Sequence, residues 1–215
     1  MDRLLIVAPN ADIYRSSIEV VEESGIPAQV IQATSADVLE RVAQVFADGQ
    51  PGVIVARGHQ AQILRDGQSV PVVQIVLSPQ DMVSLMDRAR TIAGHPHPHV
   101  AFIGFRSMFS DCEQIARLIG VEMELGFGAT GPELPEAVAR AVEHGAEVII
   151  GGEIACQAAV SLGVRSLFMD QMKGSILQAI RSALHTLDAL RLERRRVSEV
   201  TALLDYSFDA ILRLD

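Results

Sequence analysis

Short apolar runs alternate with stretches of helical periodicity along this chain, and the pattern occurs twice. The runs occupy residues 4–8, 28–33, 52–56 and 71–77, then 99–105, 121–127, 146–150 and 165–168. Corresponding runs are offset by about 95 residues, enough for a whole βα lobe. Between them, residues 12–24, 36–47 and 59–65, then 109–119, 134–144 and 154–162, carry apolar positions at three- and four-residue steps. Continuous apolar strands separated by amphipathic helices are the pattern of parallel sheets covered on both faces. Any α/β chain alternates in this way, but the equal order and spacing of four runs per half point to duplication. The expected fold is α/β: two tandem doubly wound parallel-sheet lobes of chelatase-like or Rossmann-like layout, residues 1–77 and 78–172, with a cleft between them. Ser78 stands as the N-cap of a helix at 79–93, where Met82, Leu85, Met86 and Ala89 fall at helical spacing, and Gly94 ends it.

After Gly174 no proline or glycine follows through Leu204, so a long helix is expected over 173–204. Ile176, Ile180 and Leu184 are expected to bring its first part back onto a lobe. Ala183, Leu187, Leu190, Arg194, Val197, Thr201 and Leu204 then alternate steps of four and three, a heptad seam weakened by Arg194 and Thr201. The distal part either pairs with a second copy as a signalling helix or is a plain surface helix.

Composition narrows the function classes. With 49% hydrophobic and 21% charged residues the chain falls in the ordinary globular range, and no apolar run approaches the ~18–20 residues that span a bilayer. Met1-Asp2-Arg3 leads directly into the first run, which is too short for a signal-peptide core, so a cytoplasmic location without membrane contact is expected. A net charge of −9 makes direct nucleic-acid contact a poor expectation, and the basic run at 191–196 reads as a solvated helix face. Cys112 and Cys156 lie in apolar helical patterns and read as buried thiols. His95-Pro-His97-Pro-His99 precedes a strand, at the sheet end opposite the expected cleft, and its prolines hold the rings apart. A solvated connector is expected there in place of a metal site. No Gly-x-Gly-x-x-Gly, P-loop, His-x-x-Glu-His, Cys-x-x-Cys or Gly-x-Ser-x-Gly occurs. No catalytic residue, metal or cofactor is therefore expected.

Ligands of open α/β sheets bind beyond the strand C-termini, and the polar residues there are the candidates. Arg57-Gly58 ends one strand and opens a helix, whose unpaired N–H groups suit an anion. Arg57 either grips a carboxylate with its forked guanidinium or pairs with a local acid such as Asp66. His59 and Gln60 follow it. Ser78 caps its helix, contacts ligand, or both, whereas Asp81 reads as a first-turn acid facing the helix dipole. Arg106 follows Gly104-Phe105, and Gly152-Glu153 follows Gly151, at the matching strand ends of the second half; their glycines admit either a ligand or the next helix. Asn10 ends the first strand and could equally cap a helix. The candidate ligand contacts are thus Asn10, Arg57, Gly58, His59, Gln60, Ser78, Arg106, Gly152 and Glu153.

Ala-Arg-Gly after a strand, followed by Pro71-Val-Val-x-Ile-x-x-Ser78-x-x-Asp81, resembles the N-terminal sensory domain of PrpR-type propionate-catabolism activators, which are sigma-54-dependent transcriptional regulators. The resemblance covers residues 1 to about 196. It implies a sensor that closes two lobes on a small organic acid and signals through the long helix, without enzymatic activity. Contact with sigma-54 RNA polymerase and DNA would then run through PAS, AAA+ and helix-turn-helix domains beyond it, with a homodimer as the expected assembly. Residues 205–215, Asp-Tyr-Ser-Phe-Asp-Ala-Ile-Leu-Arg-Leu-Asp, look like the opening of a PAS domain, so the chain is expected to be a fragment that enters it. Where the family reads Ser-Arg-Gly-Gly-Thr-Ala, this chain reads Ala56-Arg57-Gly58-His59-Gln60-Ala61. The bulkier His59 and Gln60 narrow or repolarise the pocket and leave room for a ligand other than 2-methylcitrate, the effector associated with that family.

Two other classes compete with the sensor. A racemase of two-lobed α/β layout would want a base from each lobe, but Cys112 and Cys156 both fall in the second half; a chelatase would want cleft histidines, and the histidine cluster lies elsewhere. A ligand-free dimerisation module would fill the cleft with its own side chains.

Overall fold

The computed structural model describes residues 3–47, 52–109, 112–120, 122–128, 130–169 and 172–212. The apolar runs form two four-stranded, all-parallel sheets. The first comprises β1 (Leu4–Ala8), β2 (Ala28–Gln32), β3 (Val53–Arg57) and β4 (Val72–Ile75), in the order β2-β1-β3-β4. Its helices are α1 (Ala11–Ser24), α2 (Val38–Ala47) and α3 (Gly58–Gly67). After α4 (Pro79–Ala93), the second sheet comprises β5 (His99–Gly104), β6 (Glu122–Phe127), β7 (Val148–Gly151) and β8 (Arg165–Phe168). Its order, β6-β5-β7-β8, repeats the first. The intervening helices are α5 (Cys112–Ile119), α6 (Leu134–Glu143) and α7 (Glu153–Ser161), and α8 (Lys173–Leu212) closes the chain.

The strands are continuous apolar runs because both faces are covered. In β1, Leu4, Ile6 and Ala8 join one core and Leu5 and Val7 another. In β5, Val100 and Phe102 divide from Ala101 and Ile103 in the same way. The core holding Leu4, Ile6, Val100 and Phe102 is shared by both lobes, so the two sheets are joined through packed side chains.

The lobes also exchange helices. Helix α4 follows the first sheet in sequence yet packs on β7, β8 and α5 of the second, while α8 follows the second sheet and packs on β3, β4 and α1 of the first. Ile176, Ala179, Ile180, Ala183 and Leu187 form the buried stripe of α8, where Leu184 was expected and is only half-buried. Steps of three and four keep that stripe on one side of the helix. From Arg191 to Leu203 every residue of α8 is exposed, including Leu192, Val197 and Val200.

Residues 205–212, expected to open a PAS domain, are helical and continue α8; residues 213–215 lie outside the described residues. A strand needs a neighbour to take its backbone hydrogen bonds, whereas a helix satisfies them locally. No described strand lies beside this segment.

Candidate functional site

The C-terminal ends of the two sheets face each other, and Arg57 crosses between them. As the last residue of β3 it continues the alternation of Val53 and Val55, whose side chains face the shared core. The Arg57 side chain is buried, with 8% of the residue exposed. Its Nη1 donates to the carbonyl of Met169, just beyond β8, over a long 3.4 Å, and Nη2 lies 3.8 Å from the Met169 thioether sulfur. Its Nε finds no acceptor among the described residues. Asp66, the acid that could have neutralised it, instead accepts from Gln62 on the exposed side of α3. Burial pushes the guanidinium pKa down to about 10. Removing a charge from water costs several kcal/mol unless an opposite charge offsets it, and no carboxylate among the described residues meets Arg57.

The residues after Arg57 extend this positive region. Arg57 is also the N-cap of α3 and gives it no side-chain cap, and the first turn carries no acid. The first N–H groups of a helix lack intrahelical acceptors and hold partial positive charge. Gly58 turns the chain with φ +53°, a left-handed conformation, and a Cβ there would lie 3.2 Å from Phe105 Cδ2 and 3.3 Å from Met108 Sδ. The His59 ring stacks on Phe105 at a centroid distance of 6.0 Å and an interplanar angle of 25°. Gly58→Ala is therefore expected to lower stability by about 1–2 kcal/mol, the usual penalty for an L side chain in this region, seen as a lower urea midpoint.

The second lobe provides the facing wall. Phe105 precedes and Met108 ends a single 3₁₀ turn, Arg106–Met108, after β5. Met108 O accepts from Leu77 N at 2.8 Å, and Ser107 Oγ accepts from Gln74 Nε2 at 2.6 Å, tying this turn to the end of β4. Arg57, Gly58 and His59 thus meet Phe105, Met108 and Met169 in one seam. Sequence reasoning passed over those three apolar residues because an apolar side chain after a strand looks like ordinary core; only their position at strand ends could have singled them out.

The other candidates do not converge there. Gln60 donates to Ala33 O at the end of β2 and leaves its Oε1 buried without a partner. Asn10 caps α1, accepting from Ile13 N at 3.0 Å. Arg106 is exposed and lies 4.4 Å above the Phe127 ring. Gly152 begins α7, and Glu153 accepts from Gln157 on that helix's exposed face. Gly151 serves helix packing, since a Cβ there would meet Ala155 Cβ at 2.6 Å.

Ser78 and Asp81 belong to a buried polar knot at the hinge. Ser78 Oγ accepts from Asp81 N at 3.1 Å, which caps α4, and Ser78 N donates to Ser175 Oγ at 2.8 Å. Asp81 Oδ2 accepts from both Ser175 N and Ser175 Oγ at 2.6 Å, which caps α8 in turn. A Cβ at Gly174 would lie 3.0–3.2 Å from these oxygens. The knot joins the two chain crossings between lobes.

Away from the seam, His95 Nε2 lies 2.7 Å from Glu147 Oε2, and Glu147 Oε1 accepts from His99 N at 3.0 Å. These contacts hold the Glu147 carboxyl below its ordinary range, the His95 hydrogen bond contributing most, and they fasten the N-terminal edge of the second sheet. A concavity of about 700 Å³ runs beside edge strand β2, lined by Tyr14, Gln32, Thr34, Asp37, Arg41 and neighbours. Its charged groups are already matched, because Asp37 accepts from Thr34 N, Thr34 Oγ1 and Arg41 Nε.

The fold and the seam define a two-lobed α/β module whose lobes meet around the buried Arg57. The family model for propionate catabolism activators matches residues 22–193. The chain belongs to that family. In structure it is similar to an NtrC family transcriptional regulator from Clostridium acetobutylicum, with a TM-score of 0.64 and 15% identity over 87% of this chain and 97% of that one. Two looser likenesses are an ABC transporter solute binding protein from Agrobacterium vitis bound with α-D-tagatopyranose (TM-score 0.45, 11% identity, 87% and 89% covered) and a LacI family repressor from Corynebacterium glutamicum (TM-score 0.42, 14% identity, 86% and 91% covered). No curated protein matches the sequence. No helix among the described residues is long and apolar enough to cross a membrane.

Proposed function

We propose that this chain is the ligand-sensing domain of a sigma-54-dependent transcriptional regulator, which binds a small organic acid between its lobes and does not convert it. The observation that carries the reading is Arg57: a buried guanidinium at the mouth of an uncapped helix, touching the opposite lobe and lacking a counter-ion among the described residues. A carboxylate between the lobes offsets that charge and bridges β3 to the end of β8. It thereby favours one lobe arrangement over another, which is what a ligand must do to shift a conformational equilibrium.

Transmission follows from the helix exchange. Helix α8 packs on the first lobe, and its first turn is held by Asp81, on a helix that packs on the second. Rotation of one lobe against the other therefore acts on the base of α8. The exposed apolar residues of its distal part suit pairing with a second copy, and PAS, AAA+ and DNA-binding domains would receive the signal in the cytoplasm. An enzyme reading has less support, because Cys112 is buried and Cys156 donates to the Gly151 carbonyl within its own lobe.

A panel of small carboxylates, including 2-methylcitrate, succinate and aromatic acids, tests the reading by thermal unfolding. A ligand that binds only the folded state raises the melting temperature, by about 2.7 kcal/mol of stability at a hundredfold excess over Kd. At least one acid is expected to do so, and Arg57→Ala to abolish the shift. A shift that survives Arg57→Ala would remove the site from the seam.

A further inference from the structure

The chemistry of the seam also restricts the ligand. A guanidinium fork pairs with one carboxylate, and a second carboxylate buried beside the first needs a second cation. Among the described residues, Arg57 and Asp81 are the buried charged side chains, and Asp81 is committed to Ser175. Arg106 stands exposed over Phe127, and Lys173 is held on the outside by Glu19 and Glu23, each at 2.9 Å. A di- or tricarboxylate closed into this seam would bring in negative charge without a partner, which costs several kcal/mol.

The walls around the guanidinium are apolar and soft. Phe105, Met108 and Met169 face it or its neighbour Gly58, and Phe105 also takes the His59 ring on one face. Methionine side chains are flexible and polarisable, adapt to different apolar shapes, and interact favourably with aromatic rings. The Met169 carbonyl and thioether are weak acceptors at long range, so a carboxylate displaces them for stronger, charge-assisted bonds. As Met169 swings aside, its place is open to an apolar body attached to that carboxylate.

Building on Arg57 as the anion site, we infer that the ligand is a monocarboxylate with an apolar or aromatic body, its carboxylate on Arg57 and its body between Phe105, Met108 and Met169. The test is calorimetric titration of the whole chain with hexanoate, phenylacetate, acetate, succinate and citrate, repeated on Arg57→Lys. Hexanoate or phenylacetate is expected to bind at least tenfold tighter than acetate, succinate and citrate, with the binding lost in Arg57→Lys. Succinate or citrate binding tightest, yet still dependent on Arg57, overturns the monocarboxylate inference and leaves the anion site standing. No binding by any of the five, or binding unchanged in Arg57→Lys, overturns both. The comparison among ligands needs only the unaltered chain, so a poorly folding variant does not blur it.

Discussion

Replacing Arg57 by methionine is expected to stabilise the folded chain by about 2 kcal/mol while abolishing carboxylate binding. Among the described residues the buried guanidinium has the carbonyl and sulfur of Met169 as its partners, and none accepts from its Nε. Depression of its pKa to about 10 corresponds to about 3 kcal/mol of penalty on the charged form. The hydrogen bond to Met169 O returns about 1 kcal/mol. Methionine has a similar reach and suits the neighbouring Phe105, Met108 and Met169, so little packing is lost. Urea unfolding would show the gain as a higher midpoint with an unchanged slope. Such opposition between stability and binding is the mark of a residue kept for function. A loss of 1 kcal/mol or more would instead assign Arg57 to holding the lobes together.

Asp81→Ala is expected to have the largest destabilising effect, about 3–5 kcal/mol, the range for removing one partner from a buried charged network. Its carboxylate accepts from Ser175 N and Ser175 Oγ, and hydrogen bonds to charged groups contribute about 1.5–3 kcal/mol each. The variant also leaves buried donors unsatisfied at the start of α8, whose inner stripe completes the first lobe. Ser78→Ala, which loses one cap bond, is expected to cost only about 1 kcal/mol. Urea midpoints separate the two, and hydrogen exchange should show the first turn of α8 opening in Asp81→Ala. Equal effects from the two variants would mean that the knot contributes capping and no tie between the lobes.

The repeated architecture was legible because a strand covered on both faces has to be apolar throughout, as in Leu4-Leu5-Ile6-Val7-Ala8. Caps were legible for the same local reason: Ser78 and Gly94 bound α4 as expected. Which lobe receives α8 was not legible, because an amphipathic stripe states that a helix buries one face and leaves open which sheet receives it.

At the candidate site, Arg57 and Gly58 stood out because they end a strand and open a helix, where ligands of α/β sheets bind, although a local ion pair and a plain turn were open alternatives. Phe105, Met108 and Met169 did not, because their role depends on facing a guanidinium that lies 112 positions away from Met169 in the chain. Gln60 turns toward β2 and donates to Ala33 O, a partner that its place in the sequence did not indicate.

The central claim is that a carboxylate sits on Arg57 between the lobes, and the Nε–H of Arg57 reports on it directly. In a nitrogen–proton correlation spectrum this buried group gives a resonance identified by its loss in Arg57→Lys. Titration with phenylacetate or hexanoate is expected to move it strongly downfield, as Nε–H gains a charged acceptor that no described residue provides. An acid that raises the melting temperature while leaving this resonance in place would contradict the claim.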